Sequence, residues 1–549
     1  MRRKKTERKV PRVPYILVKD IRLPISEGAE QAIEYAKNRL EGVIGNAHIR
    51  GFEIHKRSID ARRRGNITVV WSVAAELMCD VAPDILREAG FSILADSELN
   101  IDKGTDTLTG RPIVCGFGPA GLFAALLLAE NGYRPIVLER GDDTEERIRK
   151  VESFYRTGRL DTESNVQFGA GGAGTFSDGK LVTRISDPRC RYVLKRFTEF
   201  GAPSEILVQA KPHIGTDVLR DVVSRMRDRI RQLGGEIRFR CAMLGYNEDS
   251  AGNVISVKTS EGDIPCGALI LATGHSARDV YAYLMKKELE VNEKPFSVGV
   301  RIEHLRKDID AAMYGSARLA DKLGHAEYAC SYRRDGRAVY TFCMCPGGEV
   351  VGAASEEGGV VVNGMSRRAR DGRNSNSAVA VSVTPEDCRI YGGTLGFQRH
   401  LERAAFKAGG SSYRAPVQTV GDFLSGKRGS EPTRVMPTYM EDGLGVTLSD
   451  MREIFPEYIT EMLKTGIRRF NSEVRGFSAP DAIITGAETR TSAPYRVMRN
   501  EVGTAIGHPN LYPTGEGAGY AGGITSAAVD GIAQATEIIK RFAPPAEQL

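Results

Sequence analysis

Three glycines and one acidic residue, held apart by apolar runs, carry the most chemistry in this sequence. Gly116, Gly118 and Gly121 form a GxGxxG within RPIVCGFGPAGLFAALLLAENGYRPIVLER, residues 111–140. An apolar run from Ile113 to Cys115 precedes them, and an apolar stretch from Leu122 to Glu130 follows. A second apolar run, Pro135 to Leu138, ends on Glu139. The pattern predicts strand, glycine turn, helix, strand and acid, each with a task in holding a dinucleotide. Gly116 permits the tight turn, Gly118 lets backbone approach a pyrophosphate, and Gly121 lets the helix pack close to the strand. The helix start, with Pro119 at its first position and Ala120 after it, offers free N–H groups from Ala120 onward and a partial positive charge to phosphates. Glu139, with Arg140 beside it, can accept hydrogen bonds from a ribose diol. A carboxylate there argues against a 2′-phosphate, which leaves NAD and FAD.

Two later segments favour FAD. Ala268 to Gly274 (ALILATG) reads as an apolar strand ending in Thr273-Gly274, the kind of crossing strand that passes near the nucleotide in flavoproteins of this architecture. Asn510 to Thr514 reads as another short strand, opening into Gly515-Glu516-Gly517 and then Gly522-Gly523 ahead of a helix from Ile524. FAD extends beyond one βαβ unit, so a returning segment must cover its ribityl chain and ring with bare backbone. Gly515, Gly517, Gly522 and Gly523 suit that task. The dipole of the helix at Ile524 would face the ring's pyrimidine end, and Glu516 would bond the ribityl chain or ring edge. A second GxGxxG, at Gly169, Gly171 and Gly174 with Gly172 inside it, follows no clear strand. It reads as a loop laid flat against the flavin.

Beyond the cofactor, His275 follows the ATG turn and His213 lies in KPHIGTD; each is either an acid–base group or a structural histidine. Cys343 and Cys345 would share one face of a strand. Without the CxxC or CxxxxC spacing of flavin disulfide reductases, they read as buried, inert thiols rather than a redox pair. Arg333, Arg334, Arg367, Arg368, Arg370 and Arg373 read as a solvated face or as holders of an anionic substrate. NGMSRRARDGRNSNSA reads as a mobile loop over the site. No His, Cys or acidic cluster has metal-ligand spacing.

The elements that must position these groups suggest an α/β chain: a discontinuous Rossmann-like FAD-binding domain, an inserted α+β domain and a small N-terminal ferredoxin-like α+β domain. The expected divisions are 1–105 for the N-terminal domain with its basic tail, 106–290 for the first part of the FAD-binding domain, 291–495 for the inserted substrate or cap domain, and 496–549 for the FAD-binding domain's return. The net charge of +6 is modest for 549 residues. Much of it lies in residues 2–12 and 55–64, where it reads as solvated charge or as a contact for nucleic acid. No apolar run is long enough to cross a membrane. The basic N-terminus lacks the apolar core of a secretory signal, and nine scattered cysteines suit a reducing cytoplasm.

GFGPAGLFAALLLAENG, SNVQFGAGGAGTFSDGKL, KPHIGTD, ILATGHSARD, YTFCMCPGGEVVGAASE, VVNGMSRRARDGRNSNSA and LYPTGEGAGYAGGITSAAVDGI together resemble a family of largely uncharacterised bacterial FAD-dependent dehydrogenases. These belong among flavoproteins with a glutathione-reductase-like FAD domain. The resemblance covers most of the chain and implies one non-covalent FAD, without naming a substrate. The expected activity is hydride transfer between flavin N5 and a small molecule or a transiently bound NAD(P)H. Flavin-dependent RNA modification through the basic N-terminal domain, and a non-enzymatic redox or partner-binding role, stand as alternatives. The oligomeric state is not legible.

Overall fold

The computed structural model describes residues 15–45, 49–63, 66–78, 83–94 and 98–545. The chain forms two compact units: Met1–Glu98 with Ser204–Pro212, and Leu99–Pro203 with His213–Leu549. The basic segment 2–12 and the turn residues Arg64 and Gly65 lie outside the described residues.

In the first unit β1 (Tyr15–Pro24), α1 (Ala29–Ile44), β2 (Ile49–Asp60), β3 (Thr68–Leu77), α2 (Pro83–Glu88) and β4 (Ser92–Ile93) follow one another. The sheet runs in the order β2-β3-β1-β4, antiparallel throughout. Period-four spacing buries Ala32, Ala36 and Leu40 of α1, while Val69, Trp71 and Val73 alternate inward on β3. Residues 204–212, far off in sequence, join this unit: Arg57 N–H donates to Val208 O at 2.6 Å, and Ala210 N–H to Arg57 O at 2.8 Å.

The second unit holds a five-stranded parallel sheet in the order Leu511–Pro513, Ala268–Leu271, Pro112–Cys115, Ile136–Leu138, Glu236–Arg238. Its strands are short, and all but Glu236–Arg238 at one edge are buried, as a sheet covered on both faces requires. The helix Pro119–Glu130 packs against the C-terminal helix Ile524–Arg541 at Gly531, where a Cβ would come within 2.1 Å of Ala120 O.

A seven-stranded sheet runs Ser331–Arg334, Arg337–Cys345, Asn374–Val383, Phe296–Leu305, Ile483–Glu488, Ala415–Thr419, Val446–Leu448. All neighbours are antiparallel except the last pair. Val298, Val300 and Ile302 alternate with Gly299, Arg301 and Glu303, so one face is apolar and the other polar, yet every one of these residues is buried. NSNSA belongs to the strand Asn374–Val383 and not to a mobile loop. Asn374 donates to Glu303 Oε1 at 3.0 Å and Asn376 accepts from Arg301 at 3.0 Å, so polar side chains go inside because charged partners await them there.

Among the described residues no helix is long and apolar enough to cross a membrane, and no group of His, Cys, Asp or Glu could hold a metal ion.

At Gly121 a Cβ would stand 1.9 Å from Gly116 O, a backbone atom that cannot yield without moving the turn. Gly121→Ala should therefore lower stability by about 1–3 kcal/mol, read as a drop in the urea midpoint. An unchanged midpoint would contradict this packing.

Candidate active site

Parallel strands end on one side, so Gly116, Glu139, Ala272 and Thr514 gather at the carboxyl edge of the five-stranded sheet. Gly116 turns with φ +99°, and a Cβ there would lie 2.3 Å from Ala272 O and 3.2 Å from Thr273 Cα. Only glycine fits that crossing. Glu139 is buried. Its Oε2 accepts from Phe117 N–H at 2.8 Å, and its Oε1 from Gly141 N–H at 2.9 Å and Gly169 N–H at 2.8 Å. Before any ribose is considered, this carboxylate ties three pieces of backbone together.

The second glycine loop lies on the first. Gly171 N–H donates to Phe117 O at 2.8 Å, and a Cβ on Gly172 would be 2.9 Å from Gly118 Cα. Gly174 faces Ile524, whose Cγ1 would stand 3.2 Å from an added Cβ. The fully buried Arg147, from the helix Thr144–Thr157, pins this loop through four acceptors: Asn165 O (2.9 Å), Ala170 O (2.7 Å), Val166 O (3.0 Å) and Thr175 Oγ1 (2.7 Å). Burial pushes its guanidinium down to about 9, against the pull of Glu139. The returning segment completes the edge. Gly515 N–H donates to Asp530 Oδ2 at 2.6 Å, a Cβ on Gly517 would be 2.5 Å from Gly274 O, and Glu516 is half-buried beside it. A Cβ on Gly274, Gly522 or Gly523 would meet nothing within 4 Å. Bare backbone thus lines this edge from Gly118 to the start of the last helix, a cradle that fits an extended dinucleotide. Arg140 stands at its other end, paired with Asp279 at 2.6 Å and stacked over Phe168.

A charged cluster continues from the second glycine loop. Thr525 Oγ1 donates to Leu181 O at 2.7 Å, which ties residues 177–181 to the first turn of the C-terminal helix. Asp178, fully buried, accepts from Ser366 Oγ–H and from Arg370 at 2.9 Å, with Lys180 Nζ at 3.6 Å. Arg370 also reaches Glu327 at 3.0 Å. Burial alone would raise the Asp178 carboxyl, but Lys180 and Arg370 hold it well below the usual carboxylate range. His213 Nε2 lies 3.2 Å from Ser366 Oγ. Burial pushes its imidazole down to about 4, against the attraction of Asp178. Since the Ser366 hydroxyl hydrogen goes to Asp178, Nε2 carries the proton to Ser366, and Nδ1 is left as the basic nitrogen.

His275 stands in a separate network, its Nε2 3.0 Å from Arg490 O. Next to it Arg278 donates to Glu402 at 2.7 and 2.9 Å and to Glu356 at 2.6 Å, and Arg490 donates to Glu402 at 3.1 Å. This grid fixes residues 275–278, which points to a positioning role for that segment.

Among the arginines expected to act together, only Arg370 joins the buried cluster. Arg373 pairs with Glu441 at 2.7 Å and Arg334 with Asp335 at 3.1 Å, both at the surface. Cys343 is partly exposed rather than buried, and a register shift between Phe342 and Cys345 breaks the simple alternation expected of the pair. Sequence reasoning missed Asp178, Lys180, Ser366 and Arg147. The two charges of SDGKL, directly after a glycine loop, were the readable signal for Asp178 and Lys180.

Residues 295–491 match the model of a family described as "FAD-dependent protein, C-terminal domain-like", and residues 16–76 match a domain of unknown function. A protein of Clostridium beijerinckii (strain ATCC 51743 / NCIMB 8052), described as an uncharacterized protein, is 47% identical over 504 residues, covering 90% of this chain and 93% of that one. Solved structures with some likeness include L-amino acid deaminase from Proteus vulgaris (12% identity, 82% of this chain and 97% of that one, TM-score 0.33). Glycine oxidase from Bacillus cereus is similar at 10% identity, over 78% and 95% of the two chains, with a TM-score of 0.31. Likenesses this distant have no bearing on the site.

Arg147→Met would orphan three buried carbonyls and should cost at least about 3 kcal/mol, measured by guanidinium unfolding; a loss under 1 kcal/mol, on the order of one exposed contact, would show that the loop does not depend on it. The imidazole of His213 sits near 4 in the fold against 6.5 when free, so the unfolded chain takes up the proton first. Its contribution is complete above pH 6.5 and declines as pH falls to 4, by about 3 kcal/mol. His213→Gln should flatten that part of the stability–pH curve; parallel curves for the two proteins would refute the assignment.

Proposed function

This chain belongs to the family that includes the Clostridium beijerinckii protein, and on that premise we propose that it is an FAD-dependent oxidoreductase acting on a small molecule. The match of residues 295–491 to an FAD-dependent protein family supports the cofactor. The observation that carries the reading is the convergence of three bare-backbone loops and Glu139 on the carboxyl edge of a parallel sheet. They meet where strand order reverses, between Pro112–Cys115 and Ala268–Leu271, the place where such sheets bind ligands.

The N–H groups of Gly118, Ala120 and Gly121 would hold the pyrophosphate. Glu139 Oε2 accepts a single backbone N–H and keeps capacity for one ribose hydroxyl. Arg140 would flank the adenosine end, and Thr273, Gly274 and the segment Gly515 to Ile524 would cover the ribityl chain and ring without a covalent link. When bound, FAD supplies hydride transfer at N5. The protein's own part is to place and protonate. His213 can take a proton at Nδ1, its tautomer fixed through Ser366 and Asp178. Lys180 keeps its charge beside Asp178 and suits an anionic group on the substrate. NAD(P)H visiting the cleft and the substrate itself are the two candidate hydride donors.

Purified protein should be yellow, release intact FAD on acid precipitation, and lose flavin in Gly118→Val. Anaerobic titration with NADH and then NADPH should bleach the flavin if a nicotinamide is the donor. Bleaching by dithionite alone would make the substrate the donor. A colourless protein that cannot be reconstituted with FAD would overturn the proposal.

A further inference from the structure

Cys345 pairs with Asn376 on the polar face of the seven-stranded sheet, and Cys343 stands two residues before it at the end of the strand Arg337–Cys345. In a regular strand, residues i and i+2 stand about 6.6 Å apart along the chain, at the outer limit for a disulfide. Here the register slips between Phe342 and Cys345, and Cys343 takes the left-handed backbone, φ +45°. A non-glycine residue in that conformation marks a bulge held by its surroundings. The bend brings Cys345 Sγ within 3.2 Å of Cys343 O, to which its S–H donates.

The surroundings are cationic. Arg301 donates to Cys343 O at 2.8 Å and lies 3.9 Å from Cys345 Sγ, held in place by Glu488 at 2.5 and 3.0 Å and by Asn376 and Asn363, each at 3.0 Å. Lys180 and Arg370 are within electrostatic reach from the glycine-loop side and the 366–373 segment, with Asp178, Glu488 and Tyr328 as the facing acids. The neighbouring Cys345 thiol, with Arg301 and Lys180, draws the Cys343 thiol down, while Cys345 beside that charge keeps its proton. Burial raises the six other described thiols, Cys115, Cys190, Cys241, Cys266, Cys330 and Cys388. Cys343 and Cys190 are the partly exposed thiols among those described, and of the two only Cys343 is drawn down by its surroundings.

We propose that Cys343 and Cys345 form a dithiol–disulfide couple acting on low-molecular-weight disulfides, with Cys343 the attacking thiolate and Cys345 the resolving thiol. The Cys343 thiolate attacks one sulfur of RSSR, forms a Cys343–S–S–R bond and expels RS⁻. With the Cys343 charge gone, Cys345 is no longer held protonated by its neighbour, and its proton passes to the expelled RS⁻. The Cys345 thiolate then attacks Cys343 Sγ, closes the Cys343–Cys345 disulfide and releases a second RS⁻. The dithiol is oxidised by two electrons and RSSR is reduced to two thiols. This chemistry goes beyond the flavin reading and does not depend on it.

The test uses full-length protein, reduced, desalted anaerobically and exposed to oxidised glutathione, with iodoacetamide quenching and peptide mass spectrometry. The peptide holding both cysteines should lose two hydrogens. Cys345→Ser should stop at glutathionylated Cys343, and Cys343→Ser should show neither product. In wild type at pH 6, Cys343 should be alkylated about tenfold faster than Cys190, and Lys180→Gln should raise the pH midpoint of its alkylation. Glutathione on Cys345 with Cys343 unmodified, or a Cys343 midpoint near the ordinary thiol value of about 8.5, would overturn the proposal. Flavin absorbance of the same sample separates the two readings: a colourless protein that still forms the disulfide fails only the flavin proposal.

Discussion

One carboxylate holds the carboxyl edge of the parallel sheet in place. Glu139 accepts three backbone N–H groups from three different turns, at 2.8 to 2.9 Å. Hydrogen bonds to a charged acceptor contribute about 1.5–3 kcal/mol each, and burial makes an unpaired carboxylate too costly to keep. The turns at Phe117, Gly141 and Gly169 are therefore fixed relative to one another by a single side chain. Arg147, within electrostatic range of Glu139, fixes the same loop from its other side through carbonyls. This loop, whose one helical piece is the short 3-10 turn Gly172–Phe176, is fixed because an anion takes its Gly169 N–H and a cation collects its C=O groups.

The same logic recurs deeper in the chain. The polar face of the seven-stranded sheet is buried, and there Arg301 donates to Glu488, Asn376 and Asn363. Arg278, Arg490 and Glu402 do so beside His275. Burial alone would raise the Glu402 carboxyl, but Arg490 and Arg278 hold it well below the usual carboxylate range. Charges buried this deeply need partners, and that pairing leaves their side chains little freedom. That rigidity lets a neutral His213 and a bulged Cys343 persist beside strong charges.

Asp178 and Lys180 connect the two chemistries. Asp178 receives Ser366 and Arg370, and through Ser366 it orders His213. Lys180 stands 3.6 Å from that carboxylate and acts electrostatically on the cysteine pair as well. His213 and the cysteine pair therefore share one electrostatic setting, directly after the loop that lies on the first glycine turn.

The sequence by itself determined the glycine turns, the short buried strands and the helices that open at Pro119 and Ile524. These are encoded locally: a positive φ at Gly116, the missing Cβ of Gly121 and the apolar runs on either side need no distant partner to be read. The charge networks had no such signature. Arg370 and Asp178 are 192 residues apart, and Arg301 and Glu488 are 187 apart. Nothing in periodicity or spacing links them, so Arg370 reads as one of several surface arginines and NSNSA as a loop. The tertiary structure also decided that Glu139 binds backbone first, and that Cys343 departs from the face alternation would give it. In each case a buried charge takes whichever partner the fold brings within hydrogen-bonding distance, and that choice depends on how distant segments meet.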